Sequence, residues 1–114
     1  MMTFSTHILE EIEKQKLDDL EKKRKEIFNL CVTELKKYFK PLNVKSLYIT
    51  GSLLIPYRFR SQSDIDIAVE GLPQEKYFQA IFELEELLSR KVEIIELENC
   101  RFAGKIMASG FKII

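Results

Sequence analysis

The sequence has little of what builds covalent frameworks or soft-metal sites. It holds one histidine, His7, and two cysteines, Cys31 and Cys100. A lone histidine close to the start of the chain has no second imidazole to share a metal with and reads as incidental. The cysteines lack metal-ligand spacing, and Cys31 falls at a helix position that suits core packing, so both read as free thiols in a reducing cytoplasm. Net charge is also missing: 18 Lys plus Arg balance 18 Asp plus Glu. Without a global basic field the chain is not drawn to a polyanion, which disfavours a nucleic-acid partner. No run approaches the roughly 20 apolar residues that span a bilayer, and the opening MMTFSTHILEEIEK turns acidic too soon for a signal peptide. The expectation is a soluble cytoplasmic protein with no membrane partner. Repeats, low-complexity tracts and linkers are absent as well, and 114 residues suit a single domain over 1–114 with no separate substrate domain.

What is present is an ordinary globular balance, 46% hydrophobic and 32% charged, which excludes a disordered chain. From Ile8 to Phe39 there is neither Gly nor Pro, and Leu17, Leu20, Ile27, Cys31, Leu35 and Tyr38 largely follow steps of three and four. This predicts a long amphipathic helix within residues 1–40, ended by Pro41. An apolar stripe left exposed on it would favour self-association, a homo-oligomer, or a partner. Its stripe breaks at Arg24, and Lys22-Lys23-Arg24-Lys25, balanced by Glu21 and Glu26, reads as a solvated helix face. Val44 to Thr50 reads as a strand, Ser52 to Ile55 as the start of a short helix limited by Pro56, and Tyr57 to Ser63 as an exposed loop. Ile65 to Val69 is a second strand. Gly71-Leu72-Pro73 turns into a helix from Gln74 to Ser89, whose face of Tyr77, Ile81, Leu84 and Leu88, with Phe78 and Leu87 alongside, should cover the sheet. Val92 to Leu97 is a third strand, and Asn99 to Ser109 a short helix before a brief tail. The expected fold is α/β or α+β: a small mixed sheet flanked by helices.

The stretch Leu47–Val69, LYITGSLLIPYRFRSQSDIDIAV, carries the chemistry. A strand ends at Thr50, Gly51-Ser52 follows, and after residues 53–63 come Asp64 and Asp66. Side chains at i and i+2 of a strand share a face, so the two aspartates project together while Ile65 and Ile67 face the other way. Adjacent carboxylates repel unless a cation lies between them, and magnesium takes carboxylate oxygens while keeping water and phosphate ligands. Glycine at a strand end lets backbone approach a phosphate, and the serine hydroxyl can hydrogen-bond it. Together these describe a nucleoside-triphosphate site.

Gly51-Ser52 followed by SDIDIAV resembles the signature of the minimal nucleotidyltransferases, small members of the DNA polymerase-β-like superfamily. The similarity continues through EGLPQEKYFQAIFELEELLSRKVEIIELENC to KIMASGFKII, about residues 44–114. It implies a nucleotidyltransferase fold with a catalytic core over 44–114. It also implies a third carboxylate on a neighbouring strand. By the resemblance the matching position in RKVEIIELE is Glu93; Glu93, Ile95 and Leu97 share a strand face and Glu96 lies on the other, so only one of these acids can join the aspartate pair. By this resemblance Asp64, Asp66 and Glu93 would be catalytic and would hold two magnesium ions, while Gly51 and Ser52 would grip the triphosphate. The reaction implied is transfer of AMP from ATP to a hydroxyl, with pyrophosphate released. The partner implied is a HEPN-type helical protein in a prokaryotic toxin–antitoxin pair, with this chain as the antitoxin.

The sequence departs from that pattern in places. Leu53-Leu54-Ile55-Pro56 stands where many relatives carry an arginine and another glycine, leaving Arg58 or Arg60 to supply the phosphate-side cation. The spacing to the aspartates is somewhat long. Glu93, where aspartate is more usual, moves a carboxylate by about 1.5 Å. Arg58 and Arg60 are equally plain loop charges on residue type alone. Tyr57 and Phe59 either stack on a base or pack the loop, and Tyr77, Phe78 and Phe82 read as core or interface aromatics. The alternative the departures favour is a catalytically idle module of the same fold that neutralises or scaffolds a helical partner.

Overall fold

The computed structural model describes residues 6–114. The uninterrupted helical sequence gives one continuous helix, α1, over Thr6–Phe39. Pro41 stops it as expected, and a 3₁₀ turn over Lys40–Leu42 leads to Asn43, whose left-handed φ of 55° reverses the chain. At 1.5 Å per residue a helix of this length reaches about 50 Å, which sets the long axis of a molecule measuring 65 × 28 × 19 Å. Only its C-terminal half is packed. Every residue from Thr6 to Asp19 is exposed, whereas Ile27, Cys31, Leu35 and Phe39 are buried at steps of four.

Strands β1 (Ser46–Thr50), β2 (Ile65–Glu70), β3 (Val92–Glu96) and β4 (Phe111–Lys112) form one mixed sheet in the order β3-β2-β1-β4. β1 runs antiparallel to β2 and β4, and β2 runs parallel to β3. The parallel pair requires a crossover, supplied by α2 (Tyr77–Leu88) after a 3₁₀ turn at Gln74–Lys76. One sheet face is the main core: Leu47, Ile49, Ile65, Ile67, Val69, Val92 and Ile94 meet the buried residues of α1 and α2. The other carries a smaller cluster of Tyr48, Ala68 and Leu97 beneath α3 (Ala103–Ser109), joined by Ile95 and Ile106. By alternation, Asp66 of β2 and Glu93 of β3 belong to this second face.

Four expectations change. The tail is not loose, because Phe111–Lys112 pairs with Tyr48 and Ile49 as β4. On α2 the buried row is Ala80, Leu84 and Leu88, while Phe78, Phe82 and Leu87 are exposed. Phe78 lies about 200° round the helix from Ala80 and so cannot face the sheet with it. Within the 57–63 loop Phe59 is buried, its ring 4.7 Å beneath the Arg90 guanidinium, which settles packing over base stacking for this residue. Arg24 is not part of a solvated face, as its contacts below show.

Candidate active site

The site is built where the N-terminal ends of β2 and β3 meet the C-terminal end of β1. In register, Thr50 of β1 lies opposite Asp66, and Asp66 opposite Glu93, so three side chains cross the sheet in a row. After Thr50 the chain bends into a 3₁₀ turn, Gly51–Leu54, that packs back on β2. Gly51 has φ +76°, a region costly for residues with a Cβ. A Cβ there would also collide with the Asp66 carboxylate. The glycine is thus required twice, by the bend and by the acid it touches. Ser52 follows within the turn, half-buried.

Asp66 is half-buried, and its carboxyl is pushed up to about 6. Burial is the main cause, followed by the charge of Glu93 and a hydrogen bond shared with it, then the charge of Asp64. The structure therefore brings Asp66 and Glu93 together. Asp64 stands just before β2, exposed, beside Ser63, Arg90 and Lys91. Its charge is felt at Asp66, but among the described residues no three acidic, histidine or cysteine side chains close on one point as a metal-holding group. Two adjoining carboxylates, one of them raised by burial and by the charge of the other, are the donor chemistry that a hard divalent cation satisfies, so the residues fit magnesium.

Of the loop arginines, Arg58 is exposed. Arg60 turns back on its own loop, Nη1 donating to the carbonyls of Tyr57 at 2.7 Å and Phe59 at 3.2 Å. Sequence reasoning missed two groups that hold this loop. Arg90, over Phe59, donates through Nη1 to Ser61 O at 2.9 Å and Ser63 O at 3.2 Å, bracing the residues before Asp64. Glu21 and Arg24 of α1 form a fork-like ion pair, in which Arg24 Nε donates to Glu21 Oε2 at 2.9 Å and Nη2 to Oε1 at 2.5 Å. Arg24 Nη1 also donates to Leu53 O at 2.8 Å, and Glu21 Oε2 accepts from Tyr57 N at 2.9 Å. Arg24 and the Tyr57 amide hold the Glu21 carboxyl down at about 2. The break in the α1 stripe at Arg24 was the one sequence signal of this contact. Nothing in the sequence pointed to Arg90.

A small α+β domain with paired carboxylates beneath a glycine turn is the class that fold and site define. The chain belongs to the Polymerase beta, Nucleotidyltransferase family, whose model matches residues 33–114. No curated protein matches. Among solved structures, it is similar to one described as a toxin–antitoxin with AMP-PNP, at 20% identity and TM-score 0.62, covering 73% of this chain and 72% of that one. It is also similar to the toxin–antitoxin MntA–HepT, at 18% identity and TM-score 0.58, covering 75% and 71%. At such identities the likeness is one of fold.

Proposed function

We propose that the chain is a magnesium-dependent nucleotidyltransferase that moves AMP from ATP to a hydroxyl of a protein acceptor, acting as the antitoxin of a HEPN-type pair. The observation that carries this reading is Asp66 in register with Glu93, directly under Gly51. Family membership supports the reaction class, and the AMP-PNP and toxin–antitoxin relatives support the nucleotide and the setting. Asp64, Asp66 and Glu93 would hold magnesium, which when bound offsets triphosphate charge and promotes ionisation of the acceptor. Gly51 and Ser52 receive the β- and γ-phosphates. The acceptor oxygen attacks the α-phosphorus, the bond to the bridging oxygen of the β-phosphate breaks, and its electron pair leaves with pyrophosphate. Glu93, exposed beside half-buried Asp66, is open to an incoming hydroxyl and takes its proton.

The idle-module reading is favoured by one observation: Arg60 Nη1 is turned back onto loop carbonyls. One assay separates the two. Purified protein, magnesium, α-labelled ATP and a co-encoded helical partner are mixed, with Asp66→Asn in parallel. Label on the partner that disappears in the variant supports the enzyme. Partner binding without label, unchanged by the variant, supports the module and overturns the catalytic reading.

A further inference from the structure

From the contacts of α1 we infer that Glu21 and Arg24 are positioning residues for the nucleotide's triphosphate, which makes the N-terminal helix part of the site although both residues precede the family-matched segment 33–114. This rests on the nucleotidyltransferase reading. The two side chains lie a turn apart on α1 and are only 10% and 11% exposed. They grip two backbone groups of one segment, the carbonyl of Leu53 and the amide of Tyr57. Leu53 belongs to the Gly51 turn, and Tyr57 adopts φ 63°, a conformation a side-chain-bearing residue keeps only when held. Gly51, at the other end of that turn, rests on Asp66.

The segment 51–57 is thus fastened at both ends, to the acidic pair by contact and to α1 by charge-assisted hydrogen bonds, which are the stronger kind. A turn that offers amide groups to phosphate binds better when its shape is fixed in advance, because ordering it then costs nothing at the moment of binding. Arg24 acts through the turn and not by touching the nucleotide. Its Nε, Nη1 and Nη2 are each bonded to protein oxygens.

The test measures magnesium-ATP binding and label transfer for wild type, Glu21→Gln, Arg24→Lys and the exposed control Lys22→Gln, with folding followed by circular dichroism. Arg24→Lys keeps charge and helix propensity while losing the fork, so it decides the matter if Glu21→Gln fails to fold. The expected result is a rise of about tenfold in Kd and KM for ATP in Arg24→Lys, with a smaller fall in kcat at saturation. The control should stay within about twofold. A folded Arg24→Lys with a lower Tm but an unchanged Kd makes the pair merely structural and overturns the inference while the enzyme reading stands. Wild type that binds no nucleotide sinks both.

Discussion

Asp66 is held in a state that costs the fold stability. Unfolded, it ionises near 3.8; folded, near 6. Between those values the native protein holds a proton that the unfolded chain has lost, so stability falls as pH rises through this window and the penalty is complete above about 6. Asp66→Asn removes it. Without metal the variant should therefore melt higher than wild type at pH 7.5, by on the order of 1 kcal/mol after solvent screening. The gain should shrink toward zero below about pH 4, and melting curves across pH check both sign and window. Gly51→Ala acts in the opposite sense. It must place a Cβ at positive φ against the same carboxylate, so it should lose at least ~1 kcal/mol and most transfer activity. Chemical denaturation paired with the transfer assay measures the two together.

Elements differ in how much of their stability lies in buried rows. On α2, Leu84 is fully buried and Phe82 is 62% exposed. Leu84→Ala should cost about 2–5 kcal/mol, and Phe82→Ala should stay within about 0.5 kcal/mol, as urea midpoints would show. On α1, burial pushes the Cys31 thiol up to about 11, while Cys100 is half-buried. A thiol reagent at neutral pH should therefore label Cys100 in the folded protein and reach Cys31 only on unfolding. These contrasts also mark what the sequence could convey. α1 was legible because 3.6-residue periodicity ran unbroken to Pro41, and β2 because Ile65, Asp66 and Ile67 alternate. β4 was not, since two residues carry no period and exist only by pairing with β1. The Phe59 position and the Arg90 and Glu21–Arg24 contacts join residues about thirty apart, and such pairings leave no local pattern. Asp66 was legible because strand alternation sets side-chain faces directly, and Glu93 through the family resemblance, whereas pairing Asp64 with Asp66 by alternation fails because β2 begins only at Ile65.

For the whole molecule, the described residues divide into a packed body and a projecting arm, Thr6 to Asp19, exposed throughout and bearing Ile8, Leu9, Ile12 and Leu17. No helix among them is long and apolar enough to cross a membrane. The body contains the entire candidate site and anchors it to α1 just beyond the arm. Magnesium and nucleotide, binding only the folded form, should raise the melting temperature of wild type. The most direct measurement is calorimetric titration of a non-hydrolysable ATP analogue into wild type and Asp66→Asn, with and without magnesium. Paired carboxylates beneath Gly51 predict binding that requires the metal and is lost in the variant. Binding that ignores both the metal and the substitution, or no binding to wild type, would contradict the site described here.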